Sequence, residues 1–380
     1  MPSSADQPAH TAAEILGRRG DNRRSWLWLN TLSIALALSI LAGIALGPVS
    51  IPLTTTAQVL SHHLVGTALP TTEIPTGRTV LTHAQLSSII WEVRAPRIIL
   101  AATVGAGLAL TGAILQAITR NVLADPYILG VHSGASCGAA AAILFGVGAG
   151  LGDYGLQGSA FAGALAATAL VFGIARGKRT RHAANASALF SSTRLLLSGV
   201  AVGYALSSAT SFLVFASDSP EASRSVMFWL LGSLGLATWS GPLAVTIIVT
   251  SSAALFLITL APRIDALASG DAAATSVGIN PSRLRGVLLV VTCLVVGVLV
   301  SMSGAIGFVG LVIPHIARWL VGYRHRWVLP LSAILGSILL IWADILSRML
   351  LAPQEIPVGI ITALVGAPFL LLLLRKTSAV

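Results

Sequence analysis

Asp344 and Arg348 stand four residues apart in an otherwise apolar run, a spacing that puts both on one helix face. A charge inside a bilayer costs about 2.5–3.5 kcal/mol or more, and a neighbour of opposite sign offsets part of that cost. The pair reads equally well as an interfacial couple or as a surface for an outer partner. Arg94 and Arg97, three residues apart, share a face at the mouth of another apolar run. They suit an anionic partner, or an interfacial anchor paired with Glu92. Gly304, Gly307 and Gly310 recur every third residue ahead of Ile313-Pro314-His315. Three glycines and a proline loosen a helix, and irregular backbone at membrane depth survives only inside protein or against a water-filled path. This segment is therefore expected in the wall of a translocation path, with His315 an ordinary packed histidine.

A second group of residues suits contact with another protein. The polar break Ala261–Arg285 contains a short helix expected from Asp271 to Gly278, ended by the glycine and followed by Asn280-Pro281. Its Ala-rich, weakly charged face favours docking over a plain connecting loop. The hinge Arg120–Pro126, with Asn121 and Asp125, forms a second short polar turn between apolar runs. Equally informative is what is missing. There is no GxxxxGK[ST] phosphate loop, since Gly177-Lys178 lacks the upstream glycine, and no HExxH or GxSxG motif. Carboxylates are nearly missing from span interiors, which argues against a proton relay. The chain reads as a non-enzyme, and any uphill pumping must draw energy from another subunit.

The elements that position these residues are membrane helices. Apolar residues make up 55% of the 380-residue chain and charged residues 9%, against about a quarter charged in a soluble protein. The apolar runs are continuous, which excludes a β-barrel pattern. Ten spans are expected, at 26–47, 95–117, 127–147, 158–175, 193–215, 242–262, 284–303, 308–321, 328–346 and 357–374, giving an all-α polytopic membrane protein. Residues 1–25 read as a disordered cytosolic tail and 48–90 as a long outer segment in which His62 and His63 are surface residues. Residues 217–240 suggest a short re-entrant or outward-facing helix. All Lys and Arg except Arg78, Arg94, Arg97, Arg224 and Arg348 fall on one side of this layout. Such an excess marks the cytoplasmic face, so the net charge of +10 reports topology and not nucleic-acid binding. Spans two and seven run in opposite directions, and each leads into a Gly-rich, Pro-containing segment, the arrangement of an inverted repeat. Gly130, Gly134 and Gly138 make two GxxxG steps, expected to pack within one subunit. Cys137 and Cys293 read as packed thiols.

From Trp91 to the C-terminus the chain resembles the permease subunits of bacterial ABC importers for iron–siderophore, haem and cobalamin. The resemblance is carried by Arg94-Ala95-Pro96-Arg97, by Asn121-Val122-Leu123-Ala124-Asp125-Pro126 running into Gly130-Val131-His132-Ser133-Gly134, and by Arg194-Leu195-Leu196-Leu197-Ser198-Gly199. Trp229-Leu230-Leu231-Gly232-Ser233-Leu234, Ser303-Gly304-Ala305-Ile306-Gly307 through His315, and Glu355-Ile356-Pro357-Val358-Gly359 complete it. The resemblance implies a type II ABC importer permease with ten transmembrane helices over 26–376. It also implies a second permease subunit, two ABC ATPases carrying ATP and Mg²⁺, an extracytoplasmic substrate-binding protein, and no cofactor in this chain. Both termini would be cytosolic in a bacterial cytoplasmic membrane. By position, Arg94, Arg97 and Arg348 would meet the binding protein. Gly270, Asp271, Ala274, Thr275, Ser276, Val277, Gly278 and Ile279, inside a coupling loop at 263–283, would enter the ATPase. Gly304, Gly307, Gly310, Pro314, Pro357 and Gly359 would line the path, while Asn121, Asp125 and Pro126 would form a cytosolic hinge. Val122 departs from the family's usual proline, and Thr275 stands where a long polar residue is common. The expected cargo is a ferric siderophore, with haem or cobalamin as alternatives and an ion-coupled secondary transporter as the rival class.

Overall fold

The computed structural model describes residues 9–49, 51–66, 74–76, 79–175 and 192–377. The basic residues Arg176, Lys178, Arg179 and Arg181, and Arg78 in the outer segment, lie outside them. Among the described residues, seven helices are long and apolar enough to cross a membrane. Three shorter apolar helices accompany them, Val131–Phe145, Val309–Val321 and Val358–Leu372. Together they are the ten expected spans.

The first described element is α1 (Ala9–Ala45). This corrects the expectation of a structureless tail to residue 25, because the Ala-, Glu-, Leu- and Arg-rich sequence after residue 9 favours a helix and continues the span behind it. The outer segment folds into α2 (Leu53–Val65), a hairpin of β1 (Ile74–Thr76) and β2 (Thr79–Leu81), and α3 (His83–Ser88). Thr82 and Gln85 form a capping box at the start of α3. A π-helical stretch, Ile89–Arg94, then leads into α4 (Ala95–Thr119). His63 stacks on Trp91 at 4.4 Å between ring centroids, and Trp239 donates its indole N–H to the Trp91 carbonyl. These contacts tie the outer segment to the bundle.

The remaining elements are α5 (Val131–Phe145), α6 (Gly155–Ala175), α7 (Ser192–Phe215), α8 (Pro220–Leu230) and α9 (Gly241–Thr259). They continue with α10 (Ala261–Ala268), α11 (Asp271–Ser276), α12 (Pro281–Ser303), α13 (Val309–Val321), α14 (His325–Met349) and α15 (Val358–Thr377). The short α8 falls where residues 217–240 suggested a non-spanning helix. Ser219 caps it, accepting the Ala222 N–H.

Helix α4 is the central post, packed against α9, α12, α13 and α14. It meets α14 backbone to backbone: a Cβ on Gly105 would stand 2.2 Å from the Gly336 carbonyl oxygen, and the reverse distance is the same. Helices α5 and α6 approach in the same way at Gly134 and Gly163. The GxxxG steps therefore pack inside the subunit, as small-residue interfaces do in membranes.

Candidate functional sites: two charged ends and a broken middle

One end of α4 carries a buried arginine cluster. Helix α1 ends at Ala45, leaving its last carbonyls without intrahelical donors. Arg94 donates to the carbonyls of Ile44 (3.0 Å), Ala45 (2.7 Å) and Val49 (2.6 Å). Arg348 donates to Gly43 (3.1 Å) and Leu46 (3.2 Å). Between them lies Asp344, with 0% of its surface exposed. Its Oδ1 accepts the Arg97 Nε–H at 2.8 Å, and its Oδ2 lies 3.0 Å from Arg348 Nε. Arg97 also donates from Nη1 to both Glu355 oxygens, at 3.0 and 2.9 Å.

This geometry corrects the docking assignment of Arg94, Arg97 and Arg348. All three are buried, and their guanidinium groups are turned inward onto helix-end carbonyls and carboxylates. In this conformation none is available to a docked protein. Of the five charged groups, Glu355 alone keeps substantial side-chain exposure, 46%, so the surface presents a carboxylate. The Asp344–Arg348 pair is neither a snorkelling couple nor an outer surface; it is part of the core.

The middle of the molecule is built from broken helices. Between α12 and α13, residues 304–308 leave the helix, with Gly304 at φ +64° and Phe308 at φ +69°. The freed backbone groups are satisfied locally, as non-helical backbone at membrane depth requires. Ser233 N–H donates to Ser303 O (2.9 Å) and Val358 N–H to Gly232 O (3.0 Å). The Tyr127 hydroxyl donates to Ile306 O (2.9 Å) and accepts the Ile306 N–H (3.0 Å). The segments that follow spans two and seven thus meet directly.

Most of the expected path residues are packing contacts instead. A Cβ on Gly304 would stand 2.1 Å from Trp229 O, one on Gly359 2.2 Å from Leu231 O, and one on Gly310 2.9 Å from Leu108 O. Pro314 is buried inside α13. The wall assignment is corrected for these four: close helix approach accounts for them. Gly307 faces open space, and Pro357 lines a cleft of about 110 Å³ with Arg97, Ser233 and Glu355.

At the other end of α4 the chain is basic. Arg120 ends the helix in the left-handed region, φ +51°, and donates to Leu267 O (3.2 Å) and to Asp271. Arg285 reaches the same carboxylate, Nη1 to Oδ2 at 2.9 Å. The Arg285 hydrogen bonds, helped by those of Arg120, hold the Asp271 carboxyl below the usual carboxylate range. Asp271 therefore ties α11 to the end of α4 and the start of α12. Gly270 precedes α11, Ala274 anchors it in the core, and Thr275, Ser276, Val277 and Gly278 are exposed. Gly278 adopts φ +78°, its N–H bonded to Thr275 O and the Ile279 N–H to Ala274 O, a left-handed helix stop. Asn280 then caps α12 by accepting the Arg283 N–H.

The hinge divides. Asn121 is exposed and accepts the Leu123 N–H at 3.0 Å. Asp125 accepts the Tyr127 N–H at 2.8 Å, and buried Pro126 packs on Gly310, so this half turns inward to the broken middle and is not a surface turn. Sequence reasoning missed Gln116, which accepts from Arg318 (2.7 Å) and donates to Leu311 O (3.2 Å), and the Asp265–His325 pair at 2.6 Å. A glutamine inside an apolar run and a carboxylate within the polar break were the available signals.

Ten apolar helices among the described residues, a helix break closed by polar groups between two of them, and a short helix exposed at one end define the membrane-embedded subunit of a transporter. A family model described as the FecCD transport family matches residues 35–376. The cobalamin import system permease protein BtuC of Halobacterium salinarum is 37% identical, covering 94% of this chain and 98% of the relative. The hemin transport system permease protein HmuU of Yersinia pestis is 38% identical over 76% of this chain and 84% of its own. A solved structure described as an inward-facing conformation of an ABC transporter of metal-chelate type superposes with a TM-score of 0.73. It is 30% identical and covers 92% of this chain and 98% of that one. The chain belongs to the FecCD transport family and has the fold of a type II ABC importer permease.

Proposed function

We propose that this permease imports an organic metal chelate across the cytoplasmic membrane, paired with a second permease subunit. Two ATPase subunits would dock at the basic end and a substrate-binding protein at the opposite end. The observation that carries this reading is the attachment of exposed α11 to the bundle. A push on residues 275–278 reaches Asp271, and through Arg120 and Arg285 it reaches both α4 and α12. Helix α4 then runs unbroken to the arginine cluster, in backbone contact with α14. ATP binding would close the ATPase pair, residues 270–279 would carry that motion inward, and the path between the two permeases would open to the docked binding protein. The concentration of Arg263, Arg283, Arg285, Arg318, Arg324 and Arg326 at the α11 end supports a cytosolic position for it, with both termini on that side. Cargo biases such a cycle only through different affinities for its states.

Chelates are the class shared by the cargoes in the relatives' names, cobalamin and hemin, and by the ferric siderophores expected from sequence. Among the described residues no group of three or more His, Cys, Asp or Glu is placed to hold a metal, which suits a shielded metal better than a bare ion. Ferric siderophore and cobalamin are the two cargoes to separate, the second favoured by the relative matched along 94% of this chain. The test is uptake by the complete transporter, with its binding protein, of a ferric siderophore panel, haemin and cyanocobalamin. ATP-dependent uptake of one chelate class is expected. Failure with every chelate, alongside uptake of a non-chelate, would overturn the reading.

A further inference from the structure

At the basic end, a cleft of about 580 Å³ opens between the end of α4, helix α10 and the α13–α14 turn. Arg120, Arg318 and Arg324 line it, against the single carboxylate of Asp265. That carboxylate is already engaged: its Oδ1 accepts the His325 N–H at 2.9 Å and lies 2.6 Å from His325 Nδ1. The Arg318 guanidinium spends one donor on Gln116 Oε1. The exposed Arg324 guanidinium has no hydrogen-bond or ion-pair partner among the described residues. His325, 5% exposed, is the buried partner that keeps the Asp265 carboxylate occupied. Three arginines around one cavity, one of them unpartnered, suit an anion, and planar guanidinium groups match phosphate oxygens in pairs.

The surroundings say which phosphate. At the same end of α13, Trp319 is 53% and Tyr323 79% exposed. Aromatic side chains of this kind mark the membrane–water boundary, and basic pockets between helices on the cytoplasmic side take lipid headgroups. We infer that the cleft between α4, α10 and the α13–α14 turn binds the phosphate headgroup of an anionic phospholipid, held by Arg318 and Arg324.

The test is arginine-selective labelling with phenylglyoxal, on the complete transporter, in nanodiscs of phosphatidylcholine alone or mixed with phosphatidylglycerol. Labelling of Arg324 is expected to slow roughly fivefold or more with phosphatidylglycerol, within ordinary ligand-protection effects. Arg263, exposed at the same end but outside the cleft, should label at one rate in both and so controls for reagent depletion at a charged surface. Equal Arg324 labelling in the two lipids overturns the inference. So does protection in phosphatidylcholine alone, which would mean that a partner subunit covers the cleft. Protection by inorganic phosphate without anionic lipid would also overturn the lipid as the source. Arg324→Gln, read by retention of phosphatidylglycerol after detergent extraction, should lose the lipid while the melting temperature holds; retention equal to wild type would contradict the assignment.

Discussion

Arg97 donates its Nε–H to Asp344 Oδ1 at 2.8 Å, between helices whose sequences stand 247 residues apart. The bond joins the start of α4 to the end of α14, and the same carboxylate lies against Arg348. The cluster locks three helices, since Arg94 and Arg348 also hold the end of α1.

Removing Asp344 leaves two buried guanidinium groups without their shared carboxylate. Breaking a buried pair in this way costs about 3–5 kcal/mol. Asp344→Ala should therefore lower the melting temperature and folded yield of the detergent-purified protein sharply. Glu355→Gln, at a half-exposed position, should cost only about 0–1 kcal/mol. Charge reversal at Arg94 or Arg348 should act as a folding defect, before any effect on binding-protein docking can be read. Normal melting of Asp344→Ala would contradict this account.

Two glycines separate contact from open space. A Cβ on Gly112 would stand 1.9 Å from Gly310 O, whereas one on Gly307 meets nothing within 4 Å. Gly112→Ala should destabilise by about 1–3 kcal/mol through overpacking. Gly307→Ala should leave melting unchanged or raise it slightly, because alanine narrows the unfolded ensemble. Similar melting shifts for the two variants would refute the distinction.

The Asp271 clamp has a definite pH signature. Its folded-state acidity is strengthened by Arg285 and Arg120. Its contribution to stability is thus complete above about pH 4 and is lost as the pH falls through the lower folded value. The stability gap between wild type and Asp271→Asn should be constant near neutrality and close only in acid. A gap that closed between neutral and mildly acidic pH would assign the effect to another group.

Long apolar runs made the ten spans legible, because span length is set by the bilayer and needs no knowledge of neighbours. The α11 stop was equally legible, since Gly278 and Asn280-Pro281 act locally. The arginines were not. Their partners are main-chain carbonyls at the end of α1, which no side-chain pattern encodes, and carboxylates far along the chain. Gly304, Gly310 and Gly359 misled for a related reason: a glycine beside a path and a glycine beneath a crossing helix look alike until the neighbouring backbone is placed. Tyr127, which closes the α12–α13 break, carries no spacing that would single it out.

The coupling role of α11 is tested most directly by measuring ATP hydrolysis and chelate uptake in the same proteoliposomes, with wild type and Gly278→Val. Valine cannot hold the left-handed stop at φ +78°, so the exposed end of α11 loses its shape while the bundle stays folded. The account predicts that hydrolysis continues and uptake falls roughly tenfold or more, within the range of ordinary coupling free energies. Uptake per ATP equal to wild type, or uptake driven by an ion gradient without ATP, would contradict it.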